Sequence, residues 1–250
     1  MSGRIIHGAR NLGCAVVTGP GLTGRMSETA TPATSSTAVD RYDAEFFIDT
    51  VCPWCWITSR WVANVQAERD LTVRWRFISL KFLNEDRSDN YSERHRAGHF
   101  MALRILRVCH AVREAEGNDA LGRLYTAIGT ALHTNGGSRS ESFVLEDAIR
   151  LCLKESELDE AYVTHLDDES HDALLREETE LALSRTGPDV GTPIITFHPG
   201  TDRESSLFGP VIPKAPRGDE AVALWDAVET LAKSGVAEIK RTLRGTISFD

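Results

Sequence analysis

Two cysteines, Cys52 and Cys55, enclose Pro53 and Trp54. At this spacing two thiols can close a small disulfide ring and reopen it. The pair directly follows an apolar run, Phe46-Phe47-Ile48, and opens a helix-patterned segment from Trp56 to Arg69. At a helix start, Cys52 lies against backbone N–H groups that lack intrahelical partners, which favour its thiolate and predict a lowered pKa. Pro53 suits the first helical position, where its missing N–H would have no partner. The thiolate is the species that attacks disulfides, so the arrangement predicts Cys52 as nucleophile and Cys55 as resolving thiol. A zinc site would want a second Cys or His pair at short spacing. Cys14, Cys109 and Cys152 are scattered and no His lies near Cys55, so no metal site is expected. A purely structural bridge across so short a loop would remove little chain entropy. Redox chemistry at a strand–CxxC–helix turn is the reading that fits.

The bulk properties narrow the setting. A chain of 250 residues is long enough for a sizeable core. Its net charge of -9 and isoelectric point near 5.4 speak against a nucleic-acid or anionic-membrane partner. No apolar run approaches the roughly 20 residues of a spanning helix. Five cysteines, an odd number, fit a reducing compartment, so a cytoplasmic location is expected. Residues 1–40 read as a disordered N-terminal extension, because Met26 to Ala38 is rich in Ser, Thr, Ala and Pro without an apolar period. The apolar patch from Cys14 to Val17 is too short for an export signal and is broken by Gly19-Pro20-Gly21. Met26 is expected to be the natural start, and a full-length intact mass of the native protein would overturn that.

The elements that must position the cysteines follow from periodicity. Thr72–Ile78 alternates as a strand, and with Phe46–Asp49 and the intervening helix it predicts a parallel βαβ unit with a right-handed crossover. Helical spacing then runs through Arg94–Glu116, Leu121–Leu132, Phe143–Leu153 and Asp172–Ser184. The strand period returns at Pro193–Phe197 and near Ser206-Leu207-Phe208, before a last helix over about Asp219–Lys233. The order predicts an α/β, thioredoxin-like fold with an all-helical insertion subdomain. The expected boundaries are 41–84 and 189–250 for the core and 85–188 for the insertion. Trp56, Trp61 and Trp75 fall on periodic faces and are expected in the core, as are Cys109 and Cys152.

The run Phe47-Ile48-Asp49-Thr50-Val51-Cys52-Pro53-Trp54-Cys55-Trp56-Ile57-Thr58-Ser59-Arg60-Trp61 resembles the active-site segment of DsbA-family oxidoreductases from actinobacteria, and among them the mycothiol-dependent nitroreductase group. Asn84-Glu85, Leu124-Tyr125-Thr126-Ala127, Val190-Gly191-Thr192-Pro193, Phe208-Gly209-Pro210-Val211, Pro216-Arg217-Gly218-Asp219-Glu220-Ala221 and Leu224-Trp225-Asp226 carry the resemblance further, over about residues 43–250. It implies a cytosolic enzyme that draws electrons from mycothiol and can reduce electrophilic, nitro-aromatic substrates. It also implies a cis-proline at Pro193 opposite the CxxC, with the Thr192 backbone presented to an extended thiol substrate. No Gly-rich strand–turn–helix or P-loop pattern indicates a nucleotide or flavin, so no bound cofactor is expected.

Other residues have two readings each. Trp54 offers an aromatic face to a flat substrate, or packs partly against the helical block. Asn84 lines the substrate cleft, or caps a helix N-terminus. His133, with Asn135, lines the same cleft, or sits favourably at a helix C-terminus. His95 and His99 could share a helix face but no third metal ligand is evident, and His110 is read as structural. Where the family has a tyrosine this chain has His95. The rival function is a 2-hydroxychromene-2-carboxylate isomerase or kappa-class glutathione-transferase-like enzyme. Such enzymes resemble the architecture and use a lone Ser or Cys, so Cys55 weighs against them. A non-catalytic binding module would need no cysteine pair, and a periplasmic disulfide-forming role lacks its export signal.

Overall fold

Helices cover both faces of a four-stranded sheet, and the CxxC sits where its central strand ends. The computed structural model describes residues 41–86, 91–137 and 143–249. The N-terminal extension, Met26 and Cys14 lie outside the described residues.

The sheet order is β2-β1-β3-β4, with β1 (Ala44–Ile48), β2 (Val73–Phe77), β3 (Ile194–Phe197) and β4 (Ser205–Phe208). β1 pairs parallel to β2 and antiparallel to β3, and β3 pairs antiparallel to β4. β1 is buried at every residue, which is why it reads as an apolar run; β2 alternates because one of its faces is half-exposed. Helix α1 (Pro53–Glu68) connects the parallel pair, and its face of Trp61, Val62 and Val65 packs into the main core. Helix α7 (Gly218–Lys233) lies along α1, where Trp61 Nε1 donates to the Ala221 carbonyl at 2.9 Å and the Trp61 and Trp225 rings meet at 5.5 Å.

Between β2 and β3 the described chain is helical. A single turn, α2 (Leu80–Leu83), precedes α3 (Glu93–Glu116), α4 (Asn118–Gly129), α5 (Leu145–Glu155) and α6 (Asp172–Thr186). Ser92 caps α3, and Gly117, at φ 88°, supplies the left-handed turn that separates α3 from α4. A π-helical turn, Thr130–Thr134, continues α4, and 3₁₀ segments fill Glu160–Asp167 and Glu169–His171. The fold is thus the DsbA-like thioredoxin arrangement expected, and Trp56, Trp61, Trp75, Cys109 and Cys152 are all buried.

Opposite the main core, Phe47, Ile78, Ala182 and Ile194 pack together under α6. Beside them runs a buried ionic chain. Glu45 accepts from Arg76 and Arg185, and Glu178 of α6 accepts from Arg76, Arg113 and the Phe77 N–H. Burial alone would raise the Glu45 carboxyl, but the hydrogen bonds and charges of Arg76 and Arg185 hold it below its ordinary value.

α4 approaches α1 closely at Gly129, where an added Cβ would stand 2.1 Å from Trp56 Cε3. Trp56 is only 3% exposed, and its ring is held between those of Tyr125 and His133. Gly129→Ala is therefore expected to cost roughly 1–3 kcal/mol or more by overpacking. Thermal melts would show it as a loss of several degrees; an unchanged Tm would mean that the helices separate freely.

Candidate active site

The site is assembled at the end of β1. Asp49 follows the strand, and its buried carboxylate ties three segments together. Oδ1 accepts from the N–H groups of Val51 and Cys52 at 2.9 and 3.1 Å, and Oδ2 from the Leu80 N–H at 3.0 Å. Cys52 then caps α1 in an extended conformation (φ -77°, ψ 111°), with Pro53 in the first turn. Its Sγ stands 3.8 Å from the Thr192 carbonyl. The Thr192–Pro193 bond is cis, as the resemblance implied, and it opens β3 beside the cysteine. Cys55 is fully buried one turn into the helix. Its Sγ faces the Phe47 carbonyl at 3.5 Å and receives the Asp49 N–H at 3.4 Å and the Tyr125 hydroxyl at 3.6 Å. Both cysteines are free thiols.

The electrostatics correct one sequence expectation. Cys52 was expected to have a lowered pKa, but burial pushes its thiol well above the ordinary value, helped by Cys55 and Asp49. The N–H groups of Cys55 and Trp54 do favour the thiolate, as a helix start should, yet they do not prevail in a site only 7% exposed. Cys55 is pushed up to about 11 by burial, with Thr192, the Asp49 N–H and the Tyr125 hydroxyl pulling the other way. Burial raises Asp49 to about 6 against its three N–H donors. Tyr125 is held well above 10 by burial and by Cys55, so it remains a hydroxyl donor.

Asp49 gives a signed prediction. Its pKa is higher in the folded chain than the ordinary 3.8, so the stability it lends is complete below about pH 4 and is lost as pH rises through about 6. Asp49→Asn removes this dependence and leaves an amide donor facing the Leu80 N–H. The variant is expected to be less stable than the native protein near pH 4, with the gap narrowing by on the order of 3 kcal/mol by pH 8. It should also speed Cys52 alkylation at neutral pH, because a charge that disfavours the thiolate is gone. Urea melts and iodoacetamide kinetics at both pH values check this; a pH-independent gap would contradict it.

The remaining expected residues are placed as follows. Trp54 is half-buried, with the Arg244 guanidinium 5.3 Å from its ring. Asn84 is not a helix N-cap: it ends α2, and its Nδ2 donates to the Leu80 carbonyl at 2.7 Å. Because Asp49 holds the Leu80 N–H, Asn84 is joined to the dithiol loop through one short helix. His133 lies in the π turn, donates Nε2–H to the Thr50 carbonyl at 2.9 Å, and stacks on Trp56. Phe249 packs against the His133 ring at 6.0 Å, so the C-terminal segment reaches both Trp54 and His133. Asn135 is exposed, and its N–H closes the π turn onto the Thr130 carbonyl. His99 meets the Tyr91 hydroxyl and His95 meets Ser92, the α3 cap. A cavity of about 260 Å³ runs beside α1 between Trp56, Arg60, Arg217 and Phe249, and neither cysteine lines it. Asp49 and Tyr125 were not singled out from the sequence. An acid three residues before Cys52, directly after a buried strand, was the signal for the first; no local signal marks the second.

Against this geometry, comparison with known proteins is specific. The family described as Rv2466c-like, mycothiol-dependent nitroreductase Rv2466c, matches residues 51–241. The chain belongs to this family. Uncharacterized protein Rv2286c of Mycobacterium tuberculosis is 31% identical over 192 residues, covering 75% of this chain and 76% of that protein. Among solved structures, the probable DsbA oxidoreductase SCO1869 of Streptomyces coelicolor superposes with a TM-score of 0.50 at 15% identity, covering 79% of this chain and 92% of that one. The cytosolic disulfide reductase DsbM of Pseudomonas aeruginosa does so with a TM-score of 0.50 at 16% identity, covering 76% and 99%. These two show the fold. Family and fold together mark a thiol oxidoreductase. No helix among the described residues is long and apolar enough to cross a membrane.

Proposed function

We propose that this protein is a cytosolic thiol–disulfide oxidoreductase that cycles Cys52 and Cys55 between dithiol and disulfide. Mycothiol, a low-molecular-weight thiol, is its reductant and a small electrophilic or nitro-aromatic compound its oxidised substrate. The observation that carries the reading is the asymmetric pair: Cys52 at the helix start against the Thr192 carbonyl, Cys55 behind it and buried.

In the cycle, a reductant thiolate attacks Cys52 Sγ of the oxidised enzyme. The S–S bond breaks, Cys55 leaves as thiolate, and Cys52 carries the mixed disulfide. Cys55 is a competent leaving group because the Asp49 N–H and the Tyr125 hydroxyl receive its charge. A second reductant thiolate attacks the reductant's own sulfur, releasing its disulfide and the Cys52 thiolate. The attacking charge comes from the reductant in both steps, and the raised Cys52 pKa makes release of the Cys52 thiolate, beside the N–H groups of Trp54 and Cys55, the slower of the two. Two electrons and two protons then pass to the substrate as the Cys52–Cys55 bond reforms. Trp54, Asn84 and His133 are the proposed substrate contacts, with Pro53 shaping the turn, and Thr192 and Pro193 lining the face opposite the sulfur.

NADPH-coupled turnover of a nitro-aromatic with mycothiol, compared with thioredoxin as donor, tests this reading. Turnover with mycothiol and little with thioredoxin is expected. Preference for thioredoxin would discard the mycothiol assignment. Full activity of Cys55→Ser on a chromene substrate would favour the isomerase.

A further inference from the structure

Three histidines meet in the helical block, on residues that the dithiol site does not use. His165, Asp168 and His171 follow one another at intervals of three where one 3₁₀ segment ends and the next begins, with Asp168 extended between them (φ -87°, ψ 98°). Their donor atoms converge. His165 Nδ1 lies 2.8 Å from His171 Nε2, and Asp168 Oδ2 lies 3.5 and 3.6 Å from these two nitrogens. The other oxygen, Asp168 Oδ1, is occupied by the Ser170 N–H at 3.0 Å, which fixes the carboxylate and leaves Oδ2 aimed at the imidazoles. Ligands at zinc-like bond lengths stand about 3.3 Å apart in a tetrahedral shell, so the three atoms need move only by tenths of an ångström.

The surroundings fit a cation. His171 is 7% exposed, and its second nitrogen, Nδ1, is 2.8 Å from His110 Nδ1 on α3. This contact holds the ring as outer partners hold metal-ligating imidazoles. Glu114, one turn along α3, brings a carboxylate to His110 and His171. The nearby positive charges are taken up: Arg107 pairs with Asp172 and Arg104 with Asp167, each by two hydrogen bonds.

We propose that His165, Asp168 and His171 bind one divalent transition-metal ion of the zinc type, with solvent completing the shell. Two imidazoles and a carboxylate are the donor set for Zn²⁺, Co²⁺ or Ni²⁺ rather than for Ca²⁺ or Mg²⁺. The ion ties the 3₁₀ segments to one another and, through His171 and His110, to α3. The cysteines, His95, His99 and His110 gave no metal set in the sequence, and residues 160–171 carry no helical or strand apolar period to mark 165, 168 and 171 as neighbours.

The test uses the full chain with Cys52→Ser and Cys55→Ser, so that the dithiol cannot compete for metal. After chelator treatment, Zn²⁺ alone is titrated by calorimetry and Co²⁺ is followed by its visible absorption. One equivalent is expected, with a Tm increase on Zn²⁺ addition. Asp168→Asn is expected to weaken Zn²⁺ by at least about 10-fold, and His165→Ala to abolish both the absorption and the Tm shift. These two half-exposed ligands are chosen because truncating the buried His171 risks unfolding, and metal-free circular dichroism verifies each variant's fold. No one-equivalent binding, or binding indifferent to both substitutions, would overturn the proposal and leave a hydrogen-bonded histidine relay.

Discussion

Cys52→Ser is expected to lower thiol-dependent turnover by roughly 10³-fold or more, because no other described cysteine combines a helix start with a facing cis-proline. Cys55→Ser is expected to fail differently. No internal disulfide can form in that variant, but the Cys52 thiolate can still attack an external disulfide, expelling one thiolate and keeping the other half as a mixed disulfide that no second thiol of the pair can displace. Incubation of Cys55→Ser with mycothiol disulfide should therefore add one mycothiol mass, located on the Cys52 peptide. Cys109 and Cys152 should stay unmodified, since both are enclosed inside helices, 0% and 2% exposed, and neither stands at a helix start. Equal loss of turnover in both variants with no trapped adduct would contradict the division of labour between the two sulfurs.

The second large effect is structural. Glu178 is 4% exposed and accepts from Arg76 at 2.8 Å, Arg113 at 3.0 Å and the Phe77 N–H at 2.8 Å. It joins α6 to β2 and α3, and β2 pairs with β1 at Ile48, the residue before Asp49. Glu178→Ala strands part of two guanidinium groups and a backbone N–H in a buried place. A loss of roughly 3–5 kcal/mol is expected. In a domain of this size that lowers Tm by on the order of 10 °C. Glu178→Gln keeps one acceptor oxygen but offers an amide donor to a donor, so it should fall between the two. Urea or thermal melts decide, and a loss below about 1 kcal/mol in the alanine variant would show that the arginines find other partners.

What could be read from the chain follows from how local each signal is. The β1–α1–β2 unit was legible because apolar residues fill β1, alternate along β2 and repeat at helical spacing along α1, with Cys52 and Pro53 marking the helix start. The long helices α3 and α6 were legible for the same reason. The 3₁₀ segments at 160–171 were not, because a period near three with few apolar residues matches neither template. Of the two readings of Asn84, the N-cap is excluded because it ends α2, a four-residue turn with no periodic signature in the sequence. Local reasoning placed Cys52 at its N–H donors but missed the burial that raises its pKa; the Thr192 carbonyl against its sulfur comes from 140 residues away. The His133–Thr50 bond spans 83 residues and the Tyr125–Cys55 contact 70, distances over which only the folded chain brings residues together.

On the proposed cycle, Cys52 and Cys55 form a disulfide that mycothiol reopens. Peptide mapping by mass spectrometry, on native protein oxidised with diamide and then treated with mycothiol, tests it most directly. A linkage confined to Cys52 and Cys55 is expected after oxidation, and two free thiols after mycothiol. Oxidised protein in which Cys55 remains a free thiol, or a Cys52–Cys55 bond that mycothiol leaves closed, would contradict it.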